Sequence, residues 1–209
     1  VILVLFCCAG VVSASPNLRD LAGELAQKYE GESVVEGADG WLFLRDELVH
    51  LSKGQFWGED AEKVSRTKKK EYADPIPAIA SYNKALADAG ITLYLMPVPP
   101  KALVNPDKLV AGVSPGGVED ERKLYDDFYG ELSAQGVQVI DLLPQLAQKS
   151  AESNVYCKTD THFSPEGLKL FADEAAKIIK QQEWYESVDK QEFSEKSQSL
   201  TITGDLSQM

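Results

Sequence analysis

Two stretches of helical spacing each run into a glycine and then into a short β-rich apolar run, and this repeat limits the chain to few architectures. Ile76, Ile79, Ala80, Leu86 and Ala87 give one apolar face to a helix over 76–89. Gly90 stops it, and Ile91 to Met96 reads as a strand closed by Pro97-Val98-Pro99-Pro100. The order then recurs. Leu124, Phe128 and Leu132 lie inside a helix over 119–135, Gly136 stops it, and Val137 to Ile140 is a strand ending at Asp141. Such alternation predicts an α/β fold, a three-layer sandwich with a mostly parallel sheet. Folds of this kind carry their sites beyond the carboxyl ends of the strands. That points to the segment from Pro97 to Lys101, to Asp141 and to residues 160–162.

Other elements follow from local signals. Leu18, Leu21, Ala22, Leu25 and Ala26 make a short amphipathic helix over 17–29. Gly37-Ala38-Asp39-Gly40 is a turn leading into a short strand, Trp41 to Leu44, while Phe56 and Trp57 fall in a loop. The clearest helix runs from Ser164 to Lys180, with Ser164 as cap, Pro165 at the first position and a stripe of Leu168, Phe171, Ala172, Ala175, Ile178 and Ile179. Residues 181–198 read as a polar surface connection.

The 209 residues suffice for one domain with a substantial core. A net charge of −12 and a pI near 4.6 argue against a nucleic-acid partner. Residues 1–14 are uncharged and apolar, too short to span a bilayer comfortably, and Val12-Ser13-Ala14 resembles a signal-peptidase site. They read as the incomplete h-region of a signal peptide, the alternative being a membrane anchor. Residues 15–209 form the domain, and Leu200 to Met209 reads as the start of an element cut short at the C-terminus. Beyond the leader only Cys157 remains, a small buried apolar residue or half of a disulfide with a cysteine elsewhere.

Chemistry concentrates in Thr159-Asp160-Thr161-His162-Phe163-Ser164-Pro165-Glu166-Gly167. The chain has two histidines, and one of them lies two positions from a carboxylate. In an extended segment such residues share a side, so Asp160 can accept Nδ1–H of His162 and leave Nε2 free as a base. The spacing around His50 offers no metal-ligand pattern, and no metal or cofactor is expected. No Gly-x-Ser-x-Gly elbow supplies a nucleophile. Gly204-Asp205-Leu206-Ser207 has the letters of a Gly-Asp-Ser-Leu motif in the wrong order, and Ser164 is better explained as a cap. Lys63, Arg66, Lys68, Lys69 and Lys70 read as a solvated basic stretch, or alternatively as a patch for an anionic polysaccharide or a partner. Lys101 is a candidate substrate-binding cation facing the site, or an ordinary surface lysine.

Asp160-Thr-His162-Phe-Ser-Pro-Glu-Gly resembles the Asp-Thr-His-Trp-Ser/Thr-Pro-x-Gly signature of the SGNH-hydrolase-like domain of periplasmic alginate O-acetyltransferases. Gly37-Ala-Asp-Gly-Trp-Leu-Phe is similar to that family's entry segment, Pro97-Val-Pro-Pro-Lys101 to its Pro-x-Pro-x-Lys segment, Val139-Ile-Asp141-Leu to the next strand, and Thr203-Gly-Asp-Leu206 to the loop after the long helix. The matches run in family order from about Val34 onward, with Phe163 where Trp is common. The resemblance implies an SGNH-hydrolase-like fold and an O-acetyltransferase with Asp160 and His162 as catalytic residues. Their partner, a serine in a Gly-x-Ser context, lies downstream of this stretch in the family. It implies an acetyl-serine intermediate, a membrane-bound acyltransferase as acetyl donor, an exported polysaccharide such as alginate as acceptor, a secretion complex and the periplasm. The alternatives are an acetyl esterase of the same fold and a non-catalytic scaffold or binding component of that complex.

Overall fold

The computed structural model describes residues 17–113 and 115–209. The apolar segment 1–14, read as leader or anchor, lies outside them. In chain order the elements are α1 (Leu18–Lys28), β1 (Val34–Glu36), β2 (Leu42–Leu44), α2 (Arg45–Leu51), α3 (Ala61–Val64), α4 (Pro75–Asp88), β3 (Tyr94–Leu95), α5 (Lys101–Val104), α6 (Pro106–Leu109), α7 (Glu119–Ala134), β4 (Gln138–Val139), α8 (Leu143–Ser150) and α9 (Pro165–Lys180). Among the described residues no helix is long and apolar enough to cross a membrane.

α1 starts where the Asn17 side chain accepts the Arg19 amide at 2.8 Å, and it buries Leu18, Ala22 and Ala26 against α2. The four-residue spacing of those three puts them on one face. β1 and β2 form an antiparallel hairpin in which Val35 faces Phe43, both fully buried. Its turn uses left-handed backbone at Asp39 and Gly40. Gly37 is obligatory for another reason: a Cβ there would lie 2.4 Å from the Lys108 carbonyl oxygen. Phe56 and Trp57 pack inward, with the Phe56 ring 4.7 Å from Phe128 and 5.8 Å from Tyr125 of α7. The core continues through Leu103, Leu132, Leu142, Leu146, Val155 and Tyr156.

The expected helix–glycine–strand repeat is present, and β3 and β4 pair in parallel with Tyr94 opposite Gln138 and Leu95 opposite Val139. The mostly parallel sheet is not. Among the described residues the strands form two two-stranded sheets, one antiparallel and one parallel. The strands are shorter than the apolar runs for local reasons. The Ile91 amide is taken by the Leu86 carbonyl at the end of α4, and the prolines after Met96 have no N–H to offer a ladder. At the other strand Asp141 accepts the Leu143 amide at 2.9 Å, an Asx turn that leads the chain out of the strand and into α8. α9 begins as its sequence predicts, with Ser164 Oγ accepting the Gly167 amide. Its apolar stripe is only partly covered: Leu170 and Phe171 meet the core, but Leu168 is 60% exposed and Ile179 47%. From Glu186 the connection after α9 is exposed through Thr203, and then the chain returns to bury Gly204 and Leu206.

Candidate active site

Tyr156 and Phe163 form an isolated antiparallel bridge, and the amides of Cys157 and Ser164 reach the carbonyls of His162 and Val155. The segment between them is therefore a closed loop with Asp160, Thr161 and His162 at its tip. Its base is fixed by Tyr156, whose hydroxyl donates to the Pro99 carbonyl and whose ring lies 4.7 Å from Phe163. Gly167 lets α9 sit on this base, because a Cβ there would be 2.1 Å from the Val155 oxygen.

Nδ1 of His162 lies 2.7 Å from Oδ1 of Asp160. The geometry is not the extended segment that the two-residue spacing suggests. The same Oδ1 accepts the His162 backbone amide at 2.9 Å, which makes an Asx turn that folds the ring back onto the carboxylate. Oδ2 accepts the Asp205 amide at 2.9 Å. Burial works to raise the Asp160 carboxyl, but the Asp205 and His162 amides and the His162 ring outweigh it and hold the group at about 2. The hydrogen bond that Nδ1–H donates to Asp160, and then the Asp160 charge, raise the His162 imidazole above its ordinary value. The His162 side chain is 81% exposed, so Nε2, the nitrogen opposite this bond, is open to an incoming group.

Sequence reasoning did not assign Asp205 and Thr161 to this site. Asp205 Oδ1 accepts the Thr161 amide at 2.8 Å and Oδ2 accepts its hydroxyl at 2.5 Å. Asp160 and Asp205 thus hold each other's loops reciprocally. The signal was the glycine beside Asp205: a Cβ on Gly204 would stand 1.9 Å from the Thr159 carbonyl oxygen, so only glycine admits this approach. Ligand atoms of Asp160, His162 and Asp205 lie within 4.8 Å of one another. A cation there would compete with the hydrogen bonds that already engage all four carboxylate oxygens.

Lys101 is not where a substrate-binding cation would be. It is 2% exposed, and its Nζ donates to the carbonyls of Leu42, Cys157, Lys158 and Asp160 at 2.7–3.1 Å. Burial pulls this ammonium down to about 8, against the charge of Glu47. Cys157 is half-buried and its thiol is pushed up by burial. His50 belongs to a different place, a cleft of about 260 Å³ with Asp46, Lys53, Phe56 and Arg66, where burial lowers its pKa. The basic stretch is largely matched by acids: Lys63 by Asp60, Arg66 by Asp46 and Lys70 by Glu62. Ser164 is committed to its cap and to the Asn154 carbonyl. Among the described residues no serine hydroxyl is hydrogen-bonded to the His162 ring.

Residues 34–209, from β1 through the Asp205 turn, match the sequence profile of the SGNH hydrolase-like domain of the acetyltransferase AlgX. The "Probable alginate O-acetylase AlgJ" of Pseudomonas aeruginosa is 29% identical over 154 residues, 73% of this chain and 35% of that protein. The chain therefore spans about a third of the length of that curated relative. The GDSL esterase/lipase CPRD49 of Arabidopsis thaliana is 31% identical over 125 residues, covering 56% of this chain and 47% of the esterase. The solved O-acetyltransferase domain of Pseudomonas putida AlgJ shares the fold, with a TM-score of 0.58 at 24% identity over 84% of this chain and 57% of that domain.

Proposed function

The chain belongs to the SGNH hydrolase-like domain family of the acetyltransferase AlgX, and from that premise we propose that it supplies the base and orienting carboxylate for O-acetylation of an exported polysaccharide, alginate or a similar exopolysaccharide, in the periplasm. The observation that carries this reading is the 2.7 Å contact between Asp160 and Nδ1 of an otherwise exposed His162. Asp160 fixes the tautomer with the proton on Nδ1, so Nε2 accepts protons.

The nucleophile in this reading is a serine presented to Nε2 by a segment other than those described. Its Oγ attacks the acetyl carbonyl while His162 takes the hydroxyl proton. The donor's leaving group departs with that proton, and the acetyl group stays on the serine. A sugar hydroxyl then attacks the acetyl-serine, giving its proton to Nε2, and the serine leaves with the proton returned. A membrane-bound acyltransferase within a polysaccharide secretion complex delivers the acetyl group. General-base action of this kind contributes ~10²–10⁴-fold.

The test is acetyl transfer to a polyuronate oligosaccharide by the intact protein and by its His162→Ala variant. The variant is expected to stay folded and lose transfer by that factor. A folded, fully active variant overturns the reading, and an intact protein that transfers no acetyl group leaves a scaffold role. The similarity to a GDSL esterase/lipase supports a second reading, hydrolysis with water as acceptor. Free acetate with no acetylated glycan among the products would select it.

A further inference from the structure

We propose that Lys101 is a positioning residue for the Asp160–His162 pair, its ammonium holding the loop backbone in the curl that brings the carboxylate to Nδ1. This rests on the reading of that pair given above. Three of its four acceptors, the carbonyls of Cys157, Lys158 and Asp160, come from four consecutive residues of the loop, and the fourth is Leu42 of β2. Carbonyl oxygens converging on one point repel one another unless a cation lies between them. An ammonium has three N–H bonds, so four acceptors leave it none for a ligand.

The surroundings suit a fixed charge. The ammonium lies 5.1 Å from the Trp41 ring centroid and 5.2 Å from that of Phe43, contacts that favour a cation. Glu47 of α2 supplies a counter-charge and accepts the Ala102 amide at 2.9 Å, which anchors α5 and with it the Lys101 backbone. Asp160 and Asp205 add negative charge from the loop and the terminal turn, and the Cys157 thiol faces it as well. β2 is tied to the same loop by the Leu42 amide donating to Lys158. Lys101 thus joins the hairpin, α5 and the catalytic loop at one point.

The experiment follows the His162 imidazole by NMR titration in the intact protein and in its Lys101→Met and Lys101→Arg variants. Two effects have opposite signs. Removing a positive charge while the loop keeps its shape favours the imidazolium and raises the His162 pKa. Losing the Asp160 contact lowers it toward the ordinary 6.5. Lys101→Met is expected to lower it and to abolish the hydrogen-bonded Nδ1–H signal. Lys101→Arg, whose planar fork cannot reach all four carbonyls, is expected to lower it partway. A His162 pKa at or above that of the unaltered protein in folded Lys101→Met overturns the proposal, and if only the arginine variant folds, the same criterion applies to it. Failure of both to fold also overturns it, since Lys101 is then a folding residue. The titration needs no acetyl transfer, so this proposal and the His162→Ala test can fail separately.

Discussion

Asp160 spends its carboxylate on three donors, two of them backbone amides, so its charge is fixed before any substrate arrives. That makes pH the direct probe. In the proposed mechanism His162 must be neutral to act as base, and it is raised above 6.5, so the pH–rate midpoint is expected above 6.5 with activity rising as pH rises. Asp160→Asn should move the midpoint back toward 6.5 and lower the plateau ~10²–10⁴-fold. Stability follows the other sign. The Asp160 carboxyl lies near 2, below its ordinary 3.8, so its contribution is complete above 3.8 and is lost as pH falls through about 2. Urea midpoints measured across that interval should fall less steeply for Asp160→Asn than for the unaltered protein. Gly204→Ala drives a Cβ into the Thr159 carbonyl. It should cost about 1–3 kcal/mol in chemical denaturation and lower the His162 pKa, because the Asp205 turn must withdraw from the loop.

The elements that hold the site are short, and their ends matter more than their middles. α9 is set by Ser164, which caps its first turn and also donates to the Asn154 carbonyl. Ser164→Ala should therefore destabilise by about 1–2 kcal/mol, read from the urea midpoint, with a cap and a second bond lost together. The exposed part of the α9 stripe gives the contrast. Leu168 is 60% exposed, and Leu168→Ser should change stability by no more than ~0.5 kcal/mol. Periodicity alone put Leu168 and Phe171 on one apolar stripe, and only the packing separates the exposed Leu168 from Phe171, which meets the core.

At the scale of the molecule the dominant quantity is a net charge of −12. The basic residues at 63, 66 and 70 do little to offset it locally, since each faces an acid. Binding of a polyuronate oligosaccharide should therefore strengthen as salt rises from low to physiological ionic strength, as repulsion is screened. A neutral glucan should show no such dependence. Calorimetry at several salt concentrations reads the difference.

Local signals along the chain determined α1, α4, α7 and α9 to within a few residues, because capping groups, prolines and glycine stops act within one or two turns. They also brought Asp160 and His162 together, since an Asx turn needs only neighbours in sequence. What the sequence could not carry was anything that depends on distant segments arriving at one place. The extent of sheet pairing, the burial of Lys101 under carbonyls 56 to 59 residues away, and the return of Asp205 across 44 residues to Thr161 were decided by the tertiary structure. A lysine or an aspartate reads the same in sequence whether its partner is water or a buried carbonyl, and only the folded chain chooses between them.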